Sequence, residues 1–388
     1  MRQLRVIALA LTVGLLVAGF TSAATAAVKD GGDFYTPPAN MPKKAPGTII
    51  RSTPITAPLG AKAWKVLYHS RAVDGRDIAV SGVVVVPTSA APKGGRPVVT
   101  WAHGTTGMGD QCAPSKQADA ASAIPYVKQL VDAGYVVTAT DYEGLGTPGV
   151  HPYLVGESEG RSVLDAARAA RALSGPGAGD RVLVAGHSQG GQSALFAGEL
   201  ASSYSPELDV LGVVAAAPAA DVEHILPLAA AINGGAGYLA MGIQGFHAAY
   251  PDADPAAVLS ADAETKSEAA TNQCSDDVMA AFQGVSGPEV LAHDPLSIPT
   301  IQSLLHANSA GNRPAGAPVL IVQGTADTTI PKVLTDAFAT KACAAGDTVD
   351  YRAYAGSTHT TVINAAQDDV VQWLKDRVAG KPAPTTCS

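Results

Sequence analysis

This 388-residue chain is short of positive charge, of cysteine and of long apolar runs, and each shortage removes a class of function. Lysine and arginine number 26 against 34 aspartates and glutamates, for a net charge of −8. No basic stretch is present that could track a phosphate backbone, so nucleic-acid binding is not expected. The 4 cysteines, Cys112, Cys274, Cys343 and Cys387, contain no Cys-x-x-Cys pair, which argues against a zinc site. Beyond Phe20 no run of about 18 apolar residues occurs, so no transmembrane span is predicted. Internal repeats are lacking, as are low-complexity tracts outside the termini.

What is present begins with a leader. Arg2 and Arg5 precede the apolar run Val6–Phe20, and Ala24-Thr25-Ala26 offers a small-residue cleavage site. This pattern predicts a signal peptide over residues 1–26 and a secreted (extracellular) mature chain. No cysteine follows the apolar run, so a lipid anchor is not expected. Loss of Arg2 and Arg5 moves the charge from −8 to −10, because no acid precedes Asp30. About 360 residues remain, enough for one large domain with an insertion or two modest ones. An even cysteine count in an exported chain favours disulfides, and three pairings are possible. A Cys343–Cys387 bridge would tie down the Pro-rich tail Lys381–Ser388, leaving Cys112–Cys274 as the other pair.

Strand and helix patterns then alternate. Ala63–Val86 reads as two strands around the turn Val73-Asp74-Gly75-Arg76. Strands are predicted at Pro97–Ala102, Tyr135–Asp141, Arg181–Ala185, Leu208–Ala216, Ala317–Gly324 and Thr348–Ala355. Helices are predicted at Ile124–Ala133, Arg161–Leu173, Ser193–Leu200, Ile330–Ala344 and Thr361–Val378. The alternation predicts an α/β fold, a mostly parallel sheet with helices on both faces. Residues 218–316 break the rhythm, with helical patterns at Ile225–Ile232, Gly237–Tyr250, Ala256–Ala263 and Val278–Phe282. They predict a mainly helical cap or lid inserted between two parts of a core, 27–217 and 317–388. Leu226, Leu228, Leu239, Met241, Ile243 and Phe246 would either line an acyl-binding groove or pack the cap onto the body.

The most informative stretch is Gly186-His187-Ser188-Gln189-Gly190, set between an aliphatic strand and a small-residue helix. Strand, Gly-x-Ser-x-Gly and helix in that order form a nucleophile elbow. A second match, Gly156-Glu157-Ser158-Glu159-Gly160, follows a short segment interrupted by Pro152 and carries two glutamates. Acids beside a serine raise its pKa instead of activating it, so Ser158 is read as part of a helix-capping turn and Ser188 as the nucleophile.

A nucleophilic serine needs a base, and the base needs an orienting carboxylate. With chain order Ser, acid, His, the acid falls just past a late strand and the base after the last one. Asp327 and His359 occupy those places. Asp221, after an earlier strand, is the rival acid, and a helix-capping role is the alternative for Asp327. His151 is a possible substrate contact. His69, His224, His247, His293 and His306 lie away from the carboxyl ends of strands, and His187 is expected to pack beside its strand. An oxyanion hole needs the N–H of Gln189 and one more donor. Either the loop His103-Gly104-Thr105-Thr106-Gly107 or Thr140-Asp141-Tyr142-Glu143-Gly144 qualifies, with Gly104 favoured by position alone.

The chain resembles the secretory lipase family of α/β hydrolases, the lipase A type, from about Tyr35 onward. The resemblance rests on Cys112-Ala113-Pro114-Ser115, Thr140–Gly144, Glu159-Gly160 with Val163-Leu164-Asp165, the elbow, Asp327, and Cys343–Gly346 ahead of His359. It implies an α/β-hydrolase fold with a helical lid, bridges Cys112–Cys274 and Cys343–Cys387, and Asp141 assisting Gln189 in the oxyanion hole. The elbow's His187 and Gln189 and the full His-Gly-Thr-Thr-Gly loop depart from the yeast pattern. The expected activity is hydrolysis of small-molecule or lipid esters, acylglycerols included, with no cofactor or metal. Contact of the cap with a lipid–water interface is a further expectation. A peptidase or amidase on the same fold, and a non-catalytic binding module, are the alternatives.

Overall fold

The computed structural model describes residues 33–388 apart from 176, 232–234 and 286. The leader over 1–26 lies outside the described residues. Nine strands form one sheet: β1 (Ile49–Ile55), β2 (Ala61–Arg71), β3 (Asp77–Pro87), β4 (Arg96–Ala102), β5 (Val136–Thr140), β6 (Ala178–His187), β7 (Asp209–Ala216), β8 (Val319–Gly324) and β9 (Val349–Tyr354). Their spatial order is β1-β2-β3-β5-β4-β6-β7-β8-β9. The first four in that order pair antiparallel, and every pair from β5 to β9 is parallel. This is an α/β-hydrolase architecture. Val98, Val182, Val184, Val213 and Ile321 face one apolar layer, and Val99, Leu183, Val214, Leu320 and Val322 the other. Burial on both faces is what turns these strands into near-continuous aliphatic runs.

The helices that follow the strands are α1 (Val127–Asp132), α2 (Gly156–Ala172) and α3 (Gln189–Tyr204). Between β7 and β8 come α4 (Val222–Ala231), α5 (Ala236–Ala249), α6 (Ala261–Ala270), α7 (Ser275–Ala281), α8 (Gly287–Val290) and α9 (Pro299–Ala307). The chain closes with α10 (Lys332–Ala344), α11 (Thr361–Ala365) and α12 (Gln367–Val378). Among the described residues no helix is long and apolar enough to cross a membrane.

Several boundaries differ from the sequence reading. β1 went unforeseen because it is an edge strand with Pro54 and half-exposed polar residues. α2 starts five residues before Arg161, since Gly156 and Gly160 are contact glycines and not breakers. A Cβ on Gly156 would stand 2.4 Å from the Phe196 ring. α1 is shorter than expected because Tyr126 adopts a left-handed φ of 63°. α6 begins at Ala261, where the Ser260 side chain accepts from the Ala263 N–H, so the expected Ala256–Ala263 helix is displaced. Ile232, the end of another expected helix, is not among the described residues.

The segment between β7 and β8 has its own apolar core. Leu226, Leu239, Met241, Ile243 and Phe246 are fully buried in it, together with Tyr153, Leu154 and Ile330. Those five side chains therefore pack the helices together. Of the six expected groove residues only Leu228 is exposed, at 39 %.

Candidate active site

The elbow follows from steric demand. Ser188 takes φ 59° and ψ −119°, a region costly for any residue with a Cβ, at the junction of β6 and α3. Its flanking glycines are obligatory: a Cβ on Gly186 would lie 2.0 Å from the Gly190 carbonyl oxygen, and one on Gly190 2.0 Å from that of Ala102. The Ser188 N–H donates to the Ala216 carbonyl, and its own carbonyl accepts from Gly191 and Ala219, which hold the strained turn. Gln189 is the first residue of α3, where a main-chain N–H has no intrahelical partner.

Asp327 and His359 meet where β8 and β9 end. His359 Nδ1 donates to Asp327 Oδ2 over 2.8 Å, which leaves Nε2 unprotonated and able to accept. The other Asp327 oxygen accepts from the Thr329 and Ile330 N–H groups, and Oδ2 accepts also from the Gln323 amide at 3.0 Å. Burial pushes the Asp327 carboxyl up, but the bond and charge of His359, with Ile330 and Gln323, outweigh it and hold it below the usual carboxylate range. Gln323 escaped the sequence reading. Its signal was a single amide ending the otherwise aliphatic run Val319–Val322. Thr335 Oγ1 in turn donates to the Gln323 side-chain Oε1 at 2.9 Å.

His187 joins the two halves of the site. Its Nε2 donates to the His359 carbonyl oxygen at 2.9 Å, and the two rings lie 4.6 Å apart. No hydrogen bond joins the Ser188 hydroxyl to the His359 ring in this structure. Such contacts are commonly loose without substrate and tighten in the reacting complex.

The rival residues are engaged elsewhere. Asp221 pairs with His224 in the first turn of α4, at 2.8 Å. Ser158 lies within α2, buried, and its hydroxyl donates to the Glu143 carboxylate. His69 meets Asp77, His306 meets Glu223, and His247 meets the Ala253 carbonyl. His293 is exposed. His151 is fully buried against Tyr142 and Gln189.

Two loops compete for the second oxyanion donor. Gly104 lies beside Ser188: a Cβ there would stand 3.5 Å from Ser188 Cβ and 3.3 Å from His187 Nδ1. The Asp141 N–H donates to the Ser81 carbonyl at 2.8 Å. Its carboxylate accepts from the Ser115 N–H at 2.9 Å, from the Ser81 hydroxyl at 2.6 Å and from the Ser115 hydroxyl. Burial drives the Asp141 carboxyl above its ordinary pKa against those bonds.

A disulfide joins Cys112 to Cys274 and another joins Cys343 to Cys387. The first staples the loop after β4 to the start of α7. Beside it, Met108 and Gly109 donate to the Gln273 carbonyl and Ser275 donates to Thr106. A cavity of about 290 Å³ opens between the β8–α10 loop and α4, α5 and α7. Leu228, Tyr238, Met279, Thr328, Thr329 and Leu334 line it. Among the described residues no group of three or more His, Cys, Asp and Glu could hold a metal ion.

The secretory lipase family matches residues 115–386. A protein named a probable inactive lipase of Mycobacterium tuberculosis is 28 % identical, over 90 % of this chain and 82 % of its own length. A secreted triacylglycerol lipase of Malassezia globosa is also 28 % identical, over 91 % and 82 %. Among solved structures, Candida antarctica lipase A in its closed state superposes with a TM-score of 0.78 at 20 % identity, covering 92 % of this chain and 87 % of that one. The rice cell wall degrading esterase LipA from Xanthomonas oryzae gives 0.72 at 19 %, covering 87 % and 100 %. With more than two-thirds of its length matched, this chain belongs to the secretory lipase family.

Proposed function

We propose that the chain is a secreted serine hydrolase that cleaves carboxylic esters, acylglycerols included, through an acyl-enzyme. The observation that carries this is the strained Ser188 at the start of α3 on the sheet edge that also holds the 2.8 Å His359–Asp327 pair. His359 Nε2 takes the Ser188 proton as Oγ attacks the ester carbonyl, and Asp327 fixes the imidazole tautomer and stabilises the imidazolium. The proton passes to the leaving alcohol, and water releases the acid by the reverse sequence. Negative charge developing on the carbonyl oxygen is met by the Gln189 N–H and by the Gly104 loop. Asp141 holds Ser115 and Ser81 from further back; its engaged N–H and the three bonds its carboxylate already accepts support Gly104 as the donor.

Residues 218–316 act as the cap over a core built from 27–217 and 317–388. The cavity between cap and β8–α10 loop takes the acyl chain. Leu228 and Val333, exposed at 39 % and 68 %, present an apolar rim to a lipid–water interface. Export through the 1–26 leader accords with relatives named as secreted lipases.

The test is labelling of the full chain with a fluorophosphonate probe, alongside turnover of matched p-nitrophenyl esters and anilides. Labelling of the Ser188 peptide with ester turnover supports the reading. Faster anilide cleavage makes the chain an amidase. Absence of labelling makes it a binding module, a question sharpened by the relative named probably inactive.

A further inference from the structure

We infer that Glu159 is a positioning residue for this reaction, a buried carboxylate that sets the geometry of both halves of the oxyanion hole. The inference rests on the hydrolase reading above. Glu159 is fully buried in the first turns of α2, where the imidazole beside it, His151 at 3.8 Å, is kept neutral by burial. Three donors converge on it instead. Oε1 accepts from the Gln189 side-chain amide at 2.8 Å and from the Leu154 N–H at 2.8 Å. Oε2 accepts from the Ser193 hydroxyl, one turn further along α3.

Gln189 is the residue whose N–H faces the developing oxyanion. Its amide is held from two sides. One N–H goes to Glu159, and the other to His151 Nε2 at 2.9 Å. His151 can accept there because its Nδ1 proton is spent on the Glu143 carbonyl at 2.8 Å. Burial keeps that imidazole neutral, with a pKa of about 3.

Leu154 leads to the other half. It sits at φ 60°, a conformation that persists only when its surroundings over-determine it. Glu159 holds its N–H, and the Gln192 amide of α3 donates to its carbonyl at 3.1 Å. The neighbouring Tyr153 hydroxyl bonds Thr105 Oγ1 at 2.7 Å, next to Gly104. One carboxylate thus touches the first turn of α3 directly and reaches the Gly104 loop through Leu154 and Tyr153. A charge buried this deeply without a cation is costly, and burial pushes its pKa up to about 7. A fold that retains it gains placement of catalytic donors, for which small displacements matter.

The experiment compares Glu159→Gln and Glu159→Asp, both mild enough to fold, in the full secreted chain. The amide in Glu159→Gln keeps the reach and an acceptor for Gln189 and Leu154, with the Ser193 hydroxyl turning to its other acceptor, the Gln189 carbonyl. Its kcat for p-nitrophenyl esters should stay within about threefold of wild type. Glu159→Asp keeps the charge but withdraws the oxygens by roughly 1.5 Å. Its kcat should drop by roughly 10–100-fold at little-changed KM. Replacing Gln189 by Met should lower kcat as well, and Glu159→Asp should then add little in that background. The inference is overturned if Glu159→Asp matches or exceeds Glu159→Gln, if the effect falls on KM, or if the two sites are additive. Wild-type labelling at Ser188 keeps the outcomes separate: without it the hydrolase reading fails, and with it these variants judge Glu159 alone.

Discussion

The side chain of His187 donates a hydrogen bond to the main-chain carbonyl of His359, so the residue before Ser188 holds the loop that carries His359. Burial, with the nearby His359 as a secondary cause, lowers the His187 pKa to about 4, and it stays a neutral donor. His187→Gln, whose amide reaches a similar point, should keep most of kcat. His187→Phe should lose about tenfold with KM unchanged, since the base loop is released by a fraction of an ångström. Equal rates for the two would reduce His187 to a packing role.

Ser188→Ala should abolish ester turnover and probe labelling, and His359→Ala should be nearly as severe because the two act as a unit. Asp327→Asn should cost several orders of magnitude, as an amide favours the wrong imidazole tautomer. Asp221→Asn and Ser158→Ala should leave rates within about twofold, because both residues are engaged away from the elbow. Steady-state kinetics on p-nitrophenyl esters decide all five. A crippling Asp221→Asn would move the acid to the end of β7.

The two oxyanion loops are separable. Gly104→Ala keeps the main-chain N–H but sets its methyl 3.3 Å from His187 Nδ1, close enough to displace the loop, and should lower kcat by about tenfold. Asp141→Asn should instead act on stability, seen as a lowered Tm with kcat held within a few-fold. If a folded Asp141→Leu loses 10²–10³ in kcat while Gly104→Ala is benign, the donor is Asp141.

Glu199 supplies a test of stability against pH. Its carboxylate accepts the Gly311 N–H at 2.7 Å, and burial lifts its pKa to about 7. A carboxyl whose folded pKa is raised binds its proton more tightly in the native state. Its stabilisation is full below the unfolded value near 4.3 and is lost as pH rises through about 7. The loss amounts to about 4 kcal/mol at most. Glu159 acts in the same direction and window. The buried neutral imidazoles of His151 and His187 act in the opposite sense over part of this range, so the reading is a difference: in thermal unfolding from pH 5 to 8 the wild-type Tm should fall relative to that of Glu199→Gln, with turnover unchanged. A wild-type Tm that rises relative to Glu199→Gln over this range contradicts the assignment.

Closing the span between Cys343 and Cys387, 44 residues apart, should stabilise by about 4 kcal/mol on the chain-entropy view. Denaturant unfolding of a Cys343→Ser and Cys387→Ser double variant measures it. A loss below about 1 kcal/mol would mean the tail is held by its other contacts.

The sheet was legible because burial on both faces leaves strands no choice but aliphatic runs, as in Val182–Ala185 and Val319–Val322. The strained turn at Ser188 and the meeting of Asp327 with His359 were legible because the elbow and the strand ends have fixed chain positions. Other features depend on direction and contact, which periodicity does not encode. Leu226, Leu239, Met241, Ile243 and Phe246 carry the pattern of an apolar lining yet turn inward to a core of their own. Gly156 and Gly160 look like helix breakers, but they admit Phe196 and Ala197 at close range. The Glu159 network was hidden for the same reason: its members, Leu154, Gln189 and Ser193, come from segments that meet only in the folded chain.

The C-terminal tail has a consequence beyond stability. Thr386 donates its N–H to the Val349 carbonyl, and its hydroxyl accepts from the Tyr351 N–H, so the tail runs along the outer side of β9. β9 is the last strand of the sheet, and its free ladder would otherwise template pairing with another molecule. The Cys343–Cys387 bridge fastens that cover in place. The tail thereby occupies the backbone edge that a neighbouring copy would need for pairing, and reduction of one bond would loosen that cover.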